Sequence, residues 1–193
     1  MITQNIDLHR GELQQKRCEI RAYFTQTWEL YERLFETLAS DDVFYTRPQP
    51  LRHPLIFYFG HTATFFINKL MLAKLIETRV NPRFESQFAI GVDEMSWDDL
   101  NQEHYDWPSV QEVRNYRGQV KTLVCDLIDR IDFTLPIGWD SPLWPVMMGI
   151  EHERIHLETS SVLIRQLDLA KVRPHTEFPA CSETGAAPVN SLV

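Results

Sequence analysis

Apolar residues recur with a period near 3.6 in four separate stretches of this chain, and that spacing predicts four long helices. In the first, over about 13–38, Ile20, Phe24, Trp28, Tyr31, Phe35 and Leu38 form one stripe, and Ser40-Asp41-Asp42 ends it. The second, over about 54–77, is apolar almost all round, so it is expected at the centre of the fold. Pro54 suits its first turn, where no N–H is needed. The third follows Trp107-Pro108-Ser109 and turns Val110, Val113, Tyr116, Val120, Leu123, Leu127 and Ile131 to one side. The fourth, over about 143–167, comes after Asp140-Ser141-Pro142, which reads as its N-terminal cap. Four long helices in 193 residues predict an all-α fold, a four-helix bundle.

Two stretches lie outside that pattern. Residues 81–107 form a long connection whose aromatics predict order, and long connections in compact domains are commonly functional. After Lys171 the chain turns rich in Pro, Ala, Ser and Thr. The expected division is therefore a bundle over 1–172 and a linker over 173–193.

Composition narrows the functional classes. With 44% apolar and 24% charged residues the chain reads as globular and not disordered. A net charge of −8 without a basic stripe argues against nucleic acid as a partner. The first twenty residues lack a signal-peptide core and no apolar run reaches spanning length, so no membrane partner is expected and a cytoplasmic location is the default. Cys18, Cys125 and Cys181 form no C-x-x-C pair, which argues against a disulfide scaffold and against a thiolate metal site. Cys125 is expected as a small core residue of the third helix.

The chemistry concentrates in histidines. His152 and His156 stand four apart in Glu151-His152-Glu153-Arg154-Ile155-His156-Leu157-Glu158, so a helix stacks them on one face. Two imidazoles so placed can share one metal ion. His61 lies in the apolar second helix, where a buried imidazole needs partners for its ring nitrogens. If the two helices pack, three imidazoles meet. His53 is the rival to His61, but eight residues are about 12 Å of helix, so both cannot reach one ion. Its place before Pro54 suggests a cap or a surface residue. His9, His104 and His175 have no helical partner and are expected to be non-ligands.

His152-Glu153-Arg154-Ile155-His156 also fits the H-E-x-x-H pattern of zinc peptidases, in which the Glu is a general base. The extended form of that pattern fails, because Thr159 stands where Gly is required. Glu177 could be a third ligand there, but Pro174 and Pro179 flank it. Arg83 could hold a substrate carboxylate as a bidentate fork, or simply pair on the surface. Asp93 and Glu94 could hold a substrate ammonium, or be solvated loop charges.

Taken together, Gly60-His61-Thr62-Ala63-Thr64-Phe65-Phe66 and the His152–Glu158 string resemble the DinB-like helical domain of non-haem iron sulfoxide synthases, which make the C–S bonds of ergothioneine and ovothiol. Three strings look like the ovothiol branch, the 5-histidylcysteine sulfoxide synthases. They are Leu51-Arg52-His53-Pro54-Leu55-Ile56-Phe57-Tyr58, Gly91-Val92-Asp93-Glu94-Met95-Ser96-Trp97-Asp98-Asp99-Leu100, and residues 148–161. The likeness runs from about Leu30 onward. It implies a DinB-like four-helix bundle in which His61, His152 and His156 hold Fe(II), with cysteine, histidine and O₂ as reactants. Asp93 and Glu94 would suit the exposed ammonium of free cysteine, where the ergothioneine branch tends to be basic. Gly149 and Ser160, one turn either side of the His pair, would shape the surroundings of the ligands. The family continues into a domain related to formylglycine-generating enzyme, which supplies a catalytic tyrosine. Residues 178–181 and 188–193 look like the lead into it, so this chain is expected to bind iron yet to need that domain, in cis or in trans, for the reaction. The alternatives are a stand-alone DinB-like thiol transferase or zinc hydrolase, and a non-catalytic metal-binding module.

Overall fold

The four apolar stripes fold as four long helices, with a fifth, short one between the second and third. The computed structural model describes residues 6–89, 106–179 and 185. The helices are α1 (Leu13–Phe35), α2 (Leu55–Leu72), α3 (Pro82–Gln87), α4 (Val110–Arg130) and α5 (Trp144–Ile164). Short 3₁₀ turns cover Asp41–Tyr45 and Leu169–Lys171. Among the described residues β pairing is limited to isolated bridges.

Local chemistry sets the helix ends. The Glu12 carboxylate accepts from the backbone N–H groups of Gln14 and Gln15 and opens α1. Ser109 and Glu112 cap α4 reciprocally, each side chain taking the other's backbone N–H. α2 stops well short of the expected Glu77. Lys74 takes a left-handed conformation (φ 57°), Leu75 N–H reaches back to Leu70 O at 2.9 Å, and Lys74 N–H to Met71 O at 3.0 Å. This is the Schellman arrangement, and it closes the helix without the usual glycine. α5 lacks the side-chain cap expected from Asp140-Ser141-Pro142. Its N-cap is Leu143, whose N–H meets Ser141 Oγ at 3.3 Å. The short α3 was not predicted: six residues are too few to show a period, although Asn81 caps it and Pro82 begins it.

Each of α1 and α2 packs against both α4 and α5, so α1 lies across the diagonal from α2 and α4 across from α5. The bundle is closed by rings, including Phe24, Trp28 and Phe66 with centroids 5.4–5.9 Å apart. α5 receives the Phe66 ring of α2 at Gly149, where a Cβ would stand 2.2 Å from that ring. Gly149 thus serves helix packing, and Ser160 lies in the core at 3.1 Å from Tyr31 Oη. Contrary to the expectation that no apolar run reaches spanning length, α2, alone of the described helices, is long and apolar enough to span a membrane; 72% of it is buried inside the bundle, as in a core helix.

The chain after α5 returns to the end of α1. Ala39 N–H donates to Lys171 O and Arg173 N–H to Thr37 O, at 2.9 and 2.8 Å. His175 then meets Glu36 and Glu177 meets Arg33, at 3.2 and 3.3 Å. The backbone pairing of the bundle therefore continues past Val172.

Candidate metal centre

His61 lies two turns into α2, the central helix, and is buried. His152 and His156 lie on consecutive turns of α5, the helix packed beside it, and both are half-buried. The three rings converge, with centroids 4.9 Å (61–152), 4.7 Å (61–156) and 4.5 Å (152–156) apart. One nitrogen from each lies within 4.8 Å of the others, and this is the one such cluster among the described residues.

The donor geometry fits a metal. Two nitrogens each about 2.1 Å from a shared ion stand about 3.0–3.4 Å apart for octahedral to tetrahedral angles. Nε2 of His61 and Nε2 of His152 are 3.2 Å apart. His61 Nδ1 donates to Phe88 O at 2.7 Å, which leaves its Nε2 lone pair facing the cluster. His152 has no such bond at buried Nδ1, and is instead held flat against Phe65 at 3.7 Å and 7°. Phe57 stacks on His61 at 5.2 Å, and Tyr58 flanks His156 at 6.2 Å. Burial, and then the neighbouring imidazoles, push His152 down to about 2; burial and His61 push His156 down to about 3. Both rings are therefore neutral at physiological pH, the form that binds a metal.

Glu153 faces away from this cluster. It is fully buried and its Oε1 takes Arg117 Nη2 at 3.0 Å and Thr62 Oγ1 at 3.1 Å. Burial raises its pKa against the lowering effect of Arg117. A carboxylate locked into the bundle interior cannot serve as a general base at the histidines, so the peptidase use of H-E-x-x-H is not available here. Glu177, the third ligand that reading needed, pairs with Arg33.

Other sequence candidates fall in different places. Arg83 is exposed on α3 and forks onto Asp106, with 3.0 Å to both its carboxylate and its carbonyl. Asp93, Glu94, His104 and Cys181 lie outside the described residues, as does most of the long connection. Its last residue, Trp107, packs on Phe88 at 5.9 Å and edge-on to His53 at 6.1 Å. His53 is neither a cap nor a surface residue: it is buried, stacked on Phe57 at 4.2 Å. Cys125 is only half-buried at the edge of the core. Sequence reasoning missed Phe88, whose carbonyl fixes His61. The signal lay in Gly60, the glycine that makes room for it: a Cβ there would stand 2.6 Å from the Phe88 ring.

Comparison with known proteins agrees with this architecture. Ergothioneine biosynthesis protein 1 of Neurospora crassa is 26% identical over 158 residues, 79% of this chain and 17% of that protein. The protein of the same name from Schizosaccharomyces pombe is 30% identical over 138 residues, 64% of this chain and 16% of that protein. This chain thus matches only about one sixth of the length of these relatives. Residues 23–160, which include all three histidines, match the DinB superfamily, and the chain, an all-α bundle with its histidines at the α2–α5 seam, belongs to that superfamily.

Proposed function

We propose that this chain is the Fe(II)-binding domain of an O₂-dependent sulfoxide synthase that joins the sulfur of cysteine to the imidazole ring of histidine. The observation that carries the reading is the convergence of His61, His152 and His156. The two relatives, both named for ergothioneine biosynthesis, support the reaction class. Bound Fe(II) supplies affinity for a thiolate and for O₂ and brings the reactants together. The chain's own residues do the rest. Burial keeps the ligand rings neutral, Phe88 O orients His61, and Phe57 and Phe65 hold the rings against apolar walls.

Within that class, the strings at 51–58, 91–100 and 148–161 favour the ovothiol branch, with free cysteine and histidine giving 5-histidylcysteine sulfoxide. In this reading a domain related to formylglycine-generating enzyme, in cis or in trans, supplies the catalytic tyrosine. Arg83, Asp93 and Glu94 are the candidates on this chain for substrate charge. The buried, Arg-paired Glu153 speaks against a hydrolase of the H-E-x-x-H type.

Anaerobic Fe(II) loading followed by metal analysis tests the centre. About one iron per chain is expected in the wild type and none in His152→Ala. Wild-type protein without iron would overturn the reading. Addition of the second domain should then yield a sulfoxide, detected by mass spectrometry, from cysteine in preference to γ-glutamylcysteine. The opposite preference would move the assignment to the ergothioneine branch.

A further inference from the structure

The residues that directly follow two of the histidines meet each other. Thr62 follows His61 on α2 and Glu153 follows His152 on α5. One step along a helix turns a side chain by about 100°, so both leave the metal side and enter the bundle interior. There they share one partner, Arg117 of α4. Arg117 Nη1 donates to Thr62 Oγ1 and to Phe59 O, each at 2.9 Å, and Nη2 donates to Glu153 Oε1 at 3.0 Å. Thr62 Oγ1 closes the triangle by donating to the same Glu153 oxygen at 3.1 Å. Arg117, Thr62 and Glu153 expose no surface at all. From α1, Trp28 lies 4.2 Å from the guanidinium carbon, and Glu32 accepts from Arg117 Nε at 3.3 Å.

Such a node is an expensive way to hold helices together. Burying two charges costs more than filling the same space with apolar groups unless every polar atom is paired. Here Glu153 Oε2 is buried without a partner. Stability alone would favour an apolar cluster. A directional node provides what an apolar contact does not, a fixed relation between specific residues, since apolar cores lose uniqueness before they lose stability.

We propose that Arg117 and Glu153, acting through Thr62, are positioning residues of the metal centre. They fix the rotation and axial register of α2 against α5, and so bring the imidazole of His61 onto those of His152 and His156. The proposal rests on the reading of these histidines as a metal site. The hydrogen bonds of Arg117 go to Glu32, Phe59 O, Thr62 and Glu153, and not to the imidazoles. Its effect on them passes through the residue next to His61 and the residue next to His152.

Co(II), a visible-spectrum probe for Fe(II), tests this on the whole chain. Wild type and His152→Ala come first: loss of binding in the variant establishes the site, while no binding in the wild type overturns both the site and the proposal. The double variant R117M/E153M fills the node with apolar groups. It is expected to keep helical content and a melting temperature at or above wild type. Its Co(II) affinity should fall at least tenfold, with an altered ligand-field spectrum. Glu153→Gln keeps an oxygen for Arg117 and the shape of the side chain. It should melt lower yet bind Co(II) within about threefold of wild type, with an unchanged spectrum, because orientation survives where charge balance does not. A purely structural node would make affinity follow melting temperature in both variants, and that pattern overturns the proposal. So does wild-type affinity and spectrum in a folded R117M/E153M. Should the double variant not fold, Thr62→Val, which removes a single hydroxyl, is read by the same spectrum and affinity.

Discussion

Gly60 lies in the middle of α2, where alanine is ordinarily the better residue, so Gly60→Ala separates helix propensity from site geometry. The structure fixes both terms. A Cβ at position 60 would stand 2.6 Å from Cδ2 and Cε2 of Phe88 and 2.7 Å from its Cγ. Rotation of the ring cannot relieve a clash that includes Cγ. Nor is there space beside it, since Phe88 is fully buried, stacked on Trp107 at 5.9 Å and edge-on to Phe84 at 5.5 Å. Restoring ordinary carbon contact at about 3.5–4.0 Å requires Phe88 to retreat by about 1 Å. Its carbonyl accepts from His61 Nδ1 at 2.7 Å, and the same retreat carries that bond beyond hydrogen-bonding range.

Overpacking of this kind costs about 1–3 kcal/mol, against which the helix gains about 1 kcal/mol from losing a glycine. The metal-free protein should therefore lose no more than about 2 kcal/mol, a few degrees in melting temperature for a chain of this size. Metal affinity should suffer more, by about 10–100-fold, the usual cost of removing an orienting bond from a ligating histidine. Gly118, exposed on α4 with nothing within 4 Å of a would-be Cβ, is the internal control. Gly118→Ala should gain about 0.5–1 kcal/mol and leave metal binding alone. Thermal unfolding of the metal-free variants and anaerobic Fe(II) titration read the two terms separately. If Gly60→Ala stabilises as Gly118→Ala does and binds Fe(II) as tightly as wild type, the placement of Phe88 against α2 is wrong.

Further outcomes follow from the helix ends, the imidazoles and the acidic pair Asp93-Glu94. His152 and His156 titrate near 6.5 when unfolded but stay neutral to about 2 and about 3 when folded. Between those limits the unfolded chain binds more protons, so metal-free stability is full above about pH 6.5. It falls as the pH drops through the window, by up to about 1.4 kcal/mol per unit for each ring. Urea unfolding at pH 7.0 and 5.5 should show a smaller difference in His152→Gln/His156→Gln than in wild type; equal differences would remove the depressed imidazoles from the account. Ser109→Ala breaks the capping box of α4 and should cost about 1 kcal/mol by the same assay without altering Fe(II) binding. If the proposed reaction holds once the proposed second domain is supplied, Asp93→Ala and Glu94→Ala should weaken the apparent affinity for cysteine, and unchanged affinity would clear both residues of a role.

The four long helices were legible because each pairs a continuous apolar stripe with polar flanks, a signal that survives without any tertiary information. The three histidines were legible for a related reason: i, i+4 spacing fixes a shared face, and an imidazole in the apolar stretch before Phe65 and Phe66 demands a partner. What stayed hidden depends on contacts between distant segments. Arg117 occupies a buried position on α4 beside Tyr116, but a charged residue there reads as an interruption until the acceptors of α2 and α5 are in place. Glu153 fitted the general-base position of the H-E-x-x-H pattern because its neighbours in sequence include the two histidines, whereas its neighbours in space are Arg117 and Thr62. His53 was read from the proline that follows it, and Phe57 and Trp107, which bury it, were not part of that signal. The end of α2 was read too late because Lys74 carries a backbone conformation that composition does not announce.

His61 and His152 stand 91 residues apart in sequence and 3.2 Å apart at their ring nitrogens. On the proposed reading, an ion between them is a removable cross-link across a loop of nearly half the chain. Metal-free, the seam between α2 and α5 is held by side-chain packing and the Arg117 node, and it can open without breaking a coordinate bond. Loaded, it opens only when the ion lets go of at least one helix. Ion release and opening of this seam then become a single event, so the rate at which metal escapes and the rate at which the amides of α2 and α5 exchange with solvent should rise and fall together.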